Sequence, residues 1–186
     1  MSQFSIFDTP IAGLKVIERK PNSDHRGFLA RIFCADQLKS AGWERPIAQI
    51  NQTVTKKRGT VRGMHFQNTP HAEMKLVSCL QGEIWDVAVD LRKNSPTFLK
   101  WHAEKLSSDN FRALLIPEGF AHGFQTLLDD CELIYLHSAP YVRGSEAGIG
   151  PNDPYLDISW PLDFFEISTR DAEHPLLNDQ FTGIEL

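Results

Sequence analysis

An all-β fold, a jelly roll with short helical appendages, is what this sequence predicts, and three observations predict it. Strand-like runs follow one another closely: KLVSCL, EIWDVAVDL, RALLIP, FAHGFQTL and CELIYLHS all fall between residues 75 and 138. No helical period intervenes between them, which argues against parallel βαβ units and for an antiparallel sandwich or barrel. Turn residues punctuate the runs, Gln81-Gly82 and Pro117-Glu118-Gly119 most sharply.

Taken in chain order, Ala35-Asp36-Gln37-Leu38-Lys39 starts a short helix that Ala41-Gly42 ends. Lys75–Leu80 and Glu83–Leu91 read as two strands joined by a tight turn, in the manner of a hairpin. In the second of these, Ile84, Val87 and Val89 mix with Trp85, Asp86 and Asp90, the pattern of a strand with one polar or cavity-facing side. Ser107–Asn110 reads as a turn or a single helical turn. After Trp160-Pro161, the tail DFFEISTRDAEHPLL reads as irregular with one short helical piece.

Length and composition bound the rest. A chain of 186 residues suits one domain, residues 1–186, with a core large enough to need no staples. No repeat, low-complexity stretch or Ser/Gly linker suggests a boundary. The net charge of -5, with both signs interspersed, argues against nucleic-acid binding and leaves room for a small anionic ligand held by a few arginines. No apolar run approaches membrane-spanning length, so no membrane role is expected. The N-terminus MSQFSIFDTPIAG lacks the features of a secretion signal. Cys34, Cys79 and Cys131 are odd in number and lack metal-ligand spacing; reduced thiols in a cytoplasmic protein are the simplest reading.

The first chemical signal is Ile116-Pro117-Glu118-Gly119-Phe120-Ala121-His122-Gly123-Phe124. Its PxGxxH pattern resembles the second signature of the cupin superfamily; a plain turn followed by a core histidine is the bland alternative. The second signal is Arg62-Gly63-Met64-His65-Phe66-Gln67 followed by His71-Ala72-Glu73-Met74-Lys75-Leu76-Val77. Add DVAVDLR, SPTF, IPEGFAHGF, NDP, ISWP and STRD, with Asp24-His25-Arg26-Gly27-Phe28, Gln49 and Asn51 upstream. In order and spacing these resemble the dTDP-4-dehydrorhamnose 3,5-epimerase family, from Asp24 to Pro175.

The resemblance implies a cupin fold and an enzyme acting at C3 and/or C5 of a nucleotide-linked 4-keto-6-deoxyhexose, in deoxysugar biosynthesis. A ketone at C4 acidifies the protons on both neighbours, so the chemistry needs a base, a stabiliser of the enolate oxygen and an acid on the opposite face. By likeness to the family, His65 is the base and Asp171 its partner, Lys75 sits near the C4 oxygen, and Tyr135 delivers the proton. Each has a plainer alternative: a surface or core histidine, a strand-edge lysine in solvent, a packed tyrosine, a turn-capping aspartate. Arg26, Arg62 and Arg170 are candidates for the diphosphate, because guanidinium forks pair with phosphate oxygens. Gln49, Asn51, His122 and Glu146 match substrate-contacting positions, and Tyr141 a tyrosine that stacks on the nucleobase. The resemblance further implies no metal and no cofactor, and a homodimer in which the N-terminal strand carrying Arg26 reaches the neighbouring subunit's site.

Three departures stand out. Arg31 replaces the glutamate that ends the family's DxRGxFxE run, Glu73 replaces a usual glutamine, and QTVT follows Asn51 in place of a serine-rich run. Arg31 invites a nucleotide other than dTDP, with CDP first, since cytosine accepts where thymine donates; pointing to solvent or binding phosphate is the other reading. Glu73 invites a two-His, one-carboxylate metal site with His71 and His122, which Lys75, an ammonium two residues on, opposes. A metal-dependent cupin enzyme and a non-catalytic sugar-nucleotide binder are the rival functions.

Overall fold

The protein is described from a computed structural model covering residues 2–186. Two antiparallel sheets face each other. The first runs β1 (Phe4–Asp8), β2 (Lys15–Arg19), β10 (Arg112–Ile116), β7 (Lys75–Gln81), β12 (Cys131–His137), β5 (Gln49–Thr55). The second runs β13 (Glu146–Gly148), β6 (Thr60–Gln67), β11 (Phe120–Thr126), β8 (Glu83–Asp90), β9 (Trp101–Ser107), with β14 (Glu166–Ile167) parallel to β6. A separate hairpin, β3 (Asn22–Asp24) with β4 (Gly27–Leu29), stands apart as an exposed arm. The helical pieces are α1 (Ala35–Leu38), continued by a 3-10 turn to a left-handed Gly42, and α2 (Thr169–Ala172), both where the sequence predicts them.

Period-two alternation sorts the side chains. Val77 and Cys79 of β7, Leu133 of β12, Ile84 and Ala88 of β8 and Phe124 of β11 fill the space between the sheets. Burying each such leucine or isoleucine contributes roughly 1.5–3 kcal/mol. Leu76, Leu115 and Leu136 point the other way and pack under Leu38 and Trp43. The inner faces of β7 and β12 therefore change character along their length: apolar at Val77, Cys79 and Leu133, polar where they reach Lys75 and His137. That polar end is where the sandwich opens. No described helix is long and apolar enough to cross a membrane.

Two expectations need correction. β7 and β8 are not a hairpin: β7 pairs with β10 and β12, while β8 pairs with β9 and β11. Gly82, at φ +80°, turns the chain from one sheet to the other, and a Cβ there would lie 2.7 Å from the Cys131 Sγ. Crossing lets Cys79 and Ile84 share one core. The alternation within β8 is also more buried than its sequence suggests. Val87 and Val89 lie on the outer face beneath Leu156, Leu177 and Ile184, and the polar inner face carries a fully buried Asp86.

Candidate active site

A cavity of about 710 Å³ opens between the sheets, lined from β5, β6, β7, β11, β12, β13 and α2. This size suits a nucleotide-sized ligand. His65, Lys75 and Tyr135 all face it, so the three groups on which the sequence argument depends share one space.

His65 sits on β6 directly opposite His122 of β11. The strands approach closely at Gly63 and Gly123: a Cβ on Gly63, which has φ +127°, would lie 2.4 Å from the Gly123 Cα. Behind His65, Ser168 caps α2 by accepting the Asp171 backbone N–H at 3.1 Å. The helix start presents the Asp171 carboxylate, whose Oδ1 is 2.8 Å from His65 Nε2 and whose Oδ2 accepts the Gly63 N–H at 3.1 Å. Burial pushes the Asp171 carboxyl up, but the bonds from His65 and Gly63 outweigh it and hold the group well below its ordinary 3.8. An ionised carboxylate only accepts, so Nε2 carries the proton and Nδ1 is left as the basic nitrogen.

The opposite wall is built from β8, β11 and β12. His122 Nε2 lies 2.8 Å from Asp86 Oδ1, and burial raises the Asp86 carboxyl above its ordinary value despite the attraction of His122. Tyr135 packs edge-on to His122, ring centroids 6.0 Å apart. Burial and then the Asp86 charge push its phenol above the usual 10, so it keeps its proton. Two residues on, His137 stacks near Tyr135 and its Nδ1 donates to Glu73 Oε2 at 2.9 Å. Glu73 Oε1 is 3.3 Å from Lys75 Nζ. Burial raises the Glu73 carboxyl, but His137 and Lys75 together leave it lowered overall.

The remaining candidates divide. At the rim, Arg62 Nε donates to Thr55 Oγ1 at 3.0 Å, Tyr141 donates its hydroxyl to Glu146 at 2.9 Å, and Arg170 pairs with Glu146 at 3.2 Å. Gln49 accepts the Tyr141 backbone N–H and donates to Asn51 Oδ1. Arg26 and Arg31 are not part of this cavity; both are exposed, and Arg26 pairs with Asp24 at 2.6 Å on the arm.

The metal set of His71, Glu73 and His122 does not form. Glu73, just before β7, turns toward His137 and Lys75, His122 turns onto Asp86, and His71 lies outside the cavity lining. Among the described residues, the ligand atoms that converge, within 4.8 Å, belong to His65, Asp171 and His174. Arg170 holds its guanidinium 3.1 Å from His65 Nε2 and 3.4 Å from Asp171, putting a positive charge where a cation would sit. The sequence points to neither His137 nor His174, and to Asp86 only as part of a polar or cavity-facing strand side, without its partner His122. His137 was findable, because it shares a strand face with Tyr135 at i+2. His174 had no signal beyond its nearness to Asp171.

A family model described as dTDP-4-dehydrorhamnose 3,5-epimerase matches residues 8–179. A Salmonella typhimurium protein named dTDP-4-dehydrorhamnose 3,5-epimerase is 41% identical over 175 residues, covering 93% of this chain and 95% of that one. A Streptomyces niveus protein named dTDP-4-dehydrorhamnose 3-epimerase is 38% identical over 168 residues, 90% of this chain and 81% of the relative. Among solved structures, a dTDP-4-dehydrorhamnose 3,5-epimerase from Bacillus anthracis with TDP and PPi bound superposes with a TM-score of 0.90 at 38% identity, covering 94% of this chain and 99% of that one.

Proposed function

The chain belongs to the dTDP-4-dehydrorhamnose 3,5-epimerase family, and from that premise we propose that it epimerises a dTDP-4-keto-6-deoxyhexose at C3 and C5 through the residues lining this cavity. It is an isomerase of the cupin fold, serving deoxysugar biosynthesis. In our reading, the basic Nδ1 of His65 takes the proton from the carbon beside the ketone. Asp171 fixes the tautomer and stabilises the imidazolium. The electron pair moves onto the C4 oxygen, where the Lys75 ammonium offsets the developing charge. Tyr135, kept protonated by its burial, returns a proton to the opposite face. Water then takes the proton from the His65 imidazolium and returns one to the Tyr135 phenolate, and the same cycle at the second carbon completes the reaction with no net gain or loss of protons.

Arg62 and Arg170 take the diphosphate at the rim, and Tyr141 stacks on the base beside Gln49, Asn51 and Glu146. The names of the relatives carry dTDP, which supports thymidine over the cytidine reading of Arg31. The enzyme works as a homodimer in which the arm carries Arg26 and Arg31 into the partner's site. The arm's exposure supports this: Phe28 meets the Phe111 ring edge-on yet stays 61% exposed, and Leu29 is 77% exposed. Three free cysteines suit a cytoplasmic setting.

The convergence of His65, Lys75 and Tyr135 on one cavity carries this reading. It is tested by incubation with dTDP-4-keto-6-deoxyglucose in deuterated water and NMR of the sugar. Label at both C3 and C5 is expected. Label at one carbon makes the chain a mono-epimerase like its Streptomyces niveus relative's name, and label at neither ends the proposal.

A further inference from the structure

We propose that His137 is a further positioning residue for the reaction, acting through Glu73 to keep the Lys75 ammonium available to the substrate. The inference rests on the reading of Lys75 as the group that faces the C4 oxygen.

Glu73 stands between two cationic or donor side chains. Its Oε2 accepts the His137 Nδ1–H at 2.9 Å, and its Oε1 lies 3.3 Å from Lys75 Nζ. All three side chains are at most 10% exposed. In so poorly solvated a place, a carboxylate and an ammonium attract strongly, since little water screens them. A free carboxylate beside Lys75 would close on it and neutralise the charge the enolate needs. The shorter contact goes to His137, which draws the carboxylate away from the lysine. Lys75 then keeps only two long contacts, to Glu73 and to the His65 carbonyl at 3.5 Å. An ammonium has three N–H donors, so at least one remains for the cavity.

His137 is itself held for this task. It pairs across β7 and β12 with Lys75 in register, its Nε2 accepts the Asn51 amide N–H at 3.4 Å, and its ring lies near-parallel to that of Tyr135, centroids 6.1 Å apart. The Asn51 contact sets the tautomer, leaving the proton on Nδ1 for Glu73. A glutamine at position 73 would carry no charge to restrain, so the carboxylate and the imidazole form one device.

Three variants read by deuterium exchange at the sugar carbons test it. His137→Leu should lower kcat about 10- to 100-fold with KM within about twofold, because the released carboxylate spoils the transition state and not the binding. Replacing Glu73 by glutamine in that background should restore most of the loss. His137→Gln, which still offers Glu73 an N–H, should stay within about threefold of the parent. An unchanged kcat in His137→Leu, or no recovery in the double variant, overturns the proposal, since a merely structural histidine would not be rescued by removing a carboxylate. Should His137→Leu not fold, His137→Asn, too short to reach Glu73, makes the same comparison. Lys75→Met separates the two readings: full turnover there defeats the role of Lys75, whereas an inactive Lys75→Met leaves the His137 and Glu73 coupling as the deciding result.

Discussion

On the cavity wall, Asp171, Asp86 and Glu73 each meet an imidazole at 2.8 to 2.9 Å, and their side chains are at most 8% exposed. On the β3–β4 arm, Arg26 and Asp24 make a still shorter contact of 2.6 Å with 78% and 47% of their side chains in solvent. The geometry is alike; the surroundings are not. A buried pair is fixed, because leaving either member unpaired costs its full desolvation. The exposed pair is screened by water and salt and rearranges readily. Burial thus fixes the pairs of the wall, whereas nothing of the kind fixes the pair on the arm.

That contrast can be broken most forcefully at the wall. His65→Asn should lower turnover about a thousandfold or more with the fold intact, measured as solvent-deuterium incorporation; exchange persisting at both carbons would move the base elsewhere. Tyr135→Phe should cost about a hundredfold in the same assay, through loss of a proton donor that burial keeps protonated.

At the arm the effect should fall on binding. Arg26→Ala should raise KM about tenfold and leave kcat in place. Mixing Arg26→Ala chains with His65→Asn chains sharpens the point: each mixed dimer then has one complete site, and steady-state kinetics of the mixture should regain a low-KM component. Absence of that component would mean the arm serves its own subunit.

Acid should separate the regions next. Asp171 and Glu73 are both held below their ordinary values of 3.8 and 4.5. A depressed carboxyl adds stability that is fully present above its unfolded value and lost as pH falls through the folded one. Urea unfolding should therefore show no contribution from these groups to the slope from pH 7 to about 5 and a falling stability from there toward about pH 2, and Asp171→Asn should flatten part of that fall.

Much of the fold was legible because its signals are local. Short apolar-rich runs mark Lys75–Gln81 and Cys131–His137, glycine marks Gly42 and Gly82, and one short helical piece falls in the tail after Trp160. The hairpin expected of Gln81-Gly82 failed for a non-local reason, since the partners of β7 come from residues 112–116 and 131–137. Within the site, the motif residues His65, Lys75 and Tyr135 were readable. Asp86, fully buried under His122, and His137, bridged to Glu73, came into view only when strands distant in sequence lay side by side.

The sequence by itself determined the succession of strands between residues 75 and 138 and the turns at Gly42 and Gly82, because residue type and turn chemistry act over a few neighbouring bonds, and its motifs carried the resemblance that names His65, Lys75, Tyr135 and Asp171 as candidates. The tertiary structure decided which carboxylate each imidazole meets: His65 finds Asp171 across 106 positions, His122 finds Asp86 across 36, and His137 finds Glu73 across 64. Such pairings depend on the register and separation of two packed sheets, a property of the whole folded sandwich that no local pattern encodes.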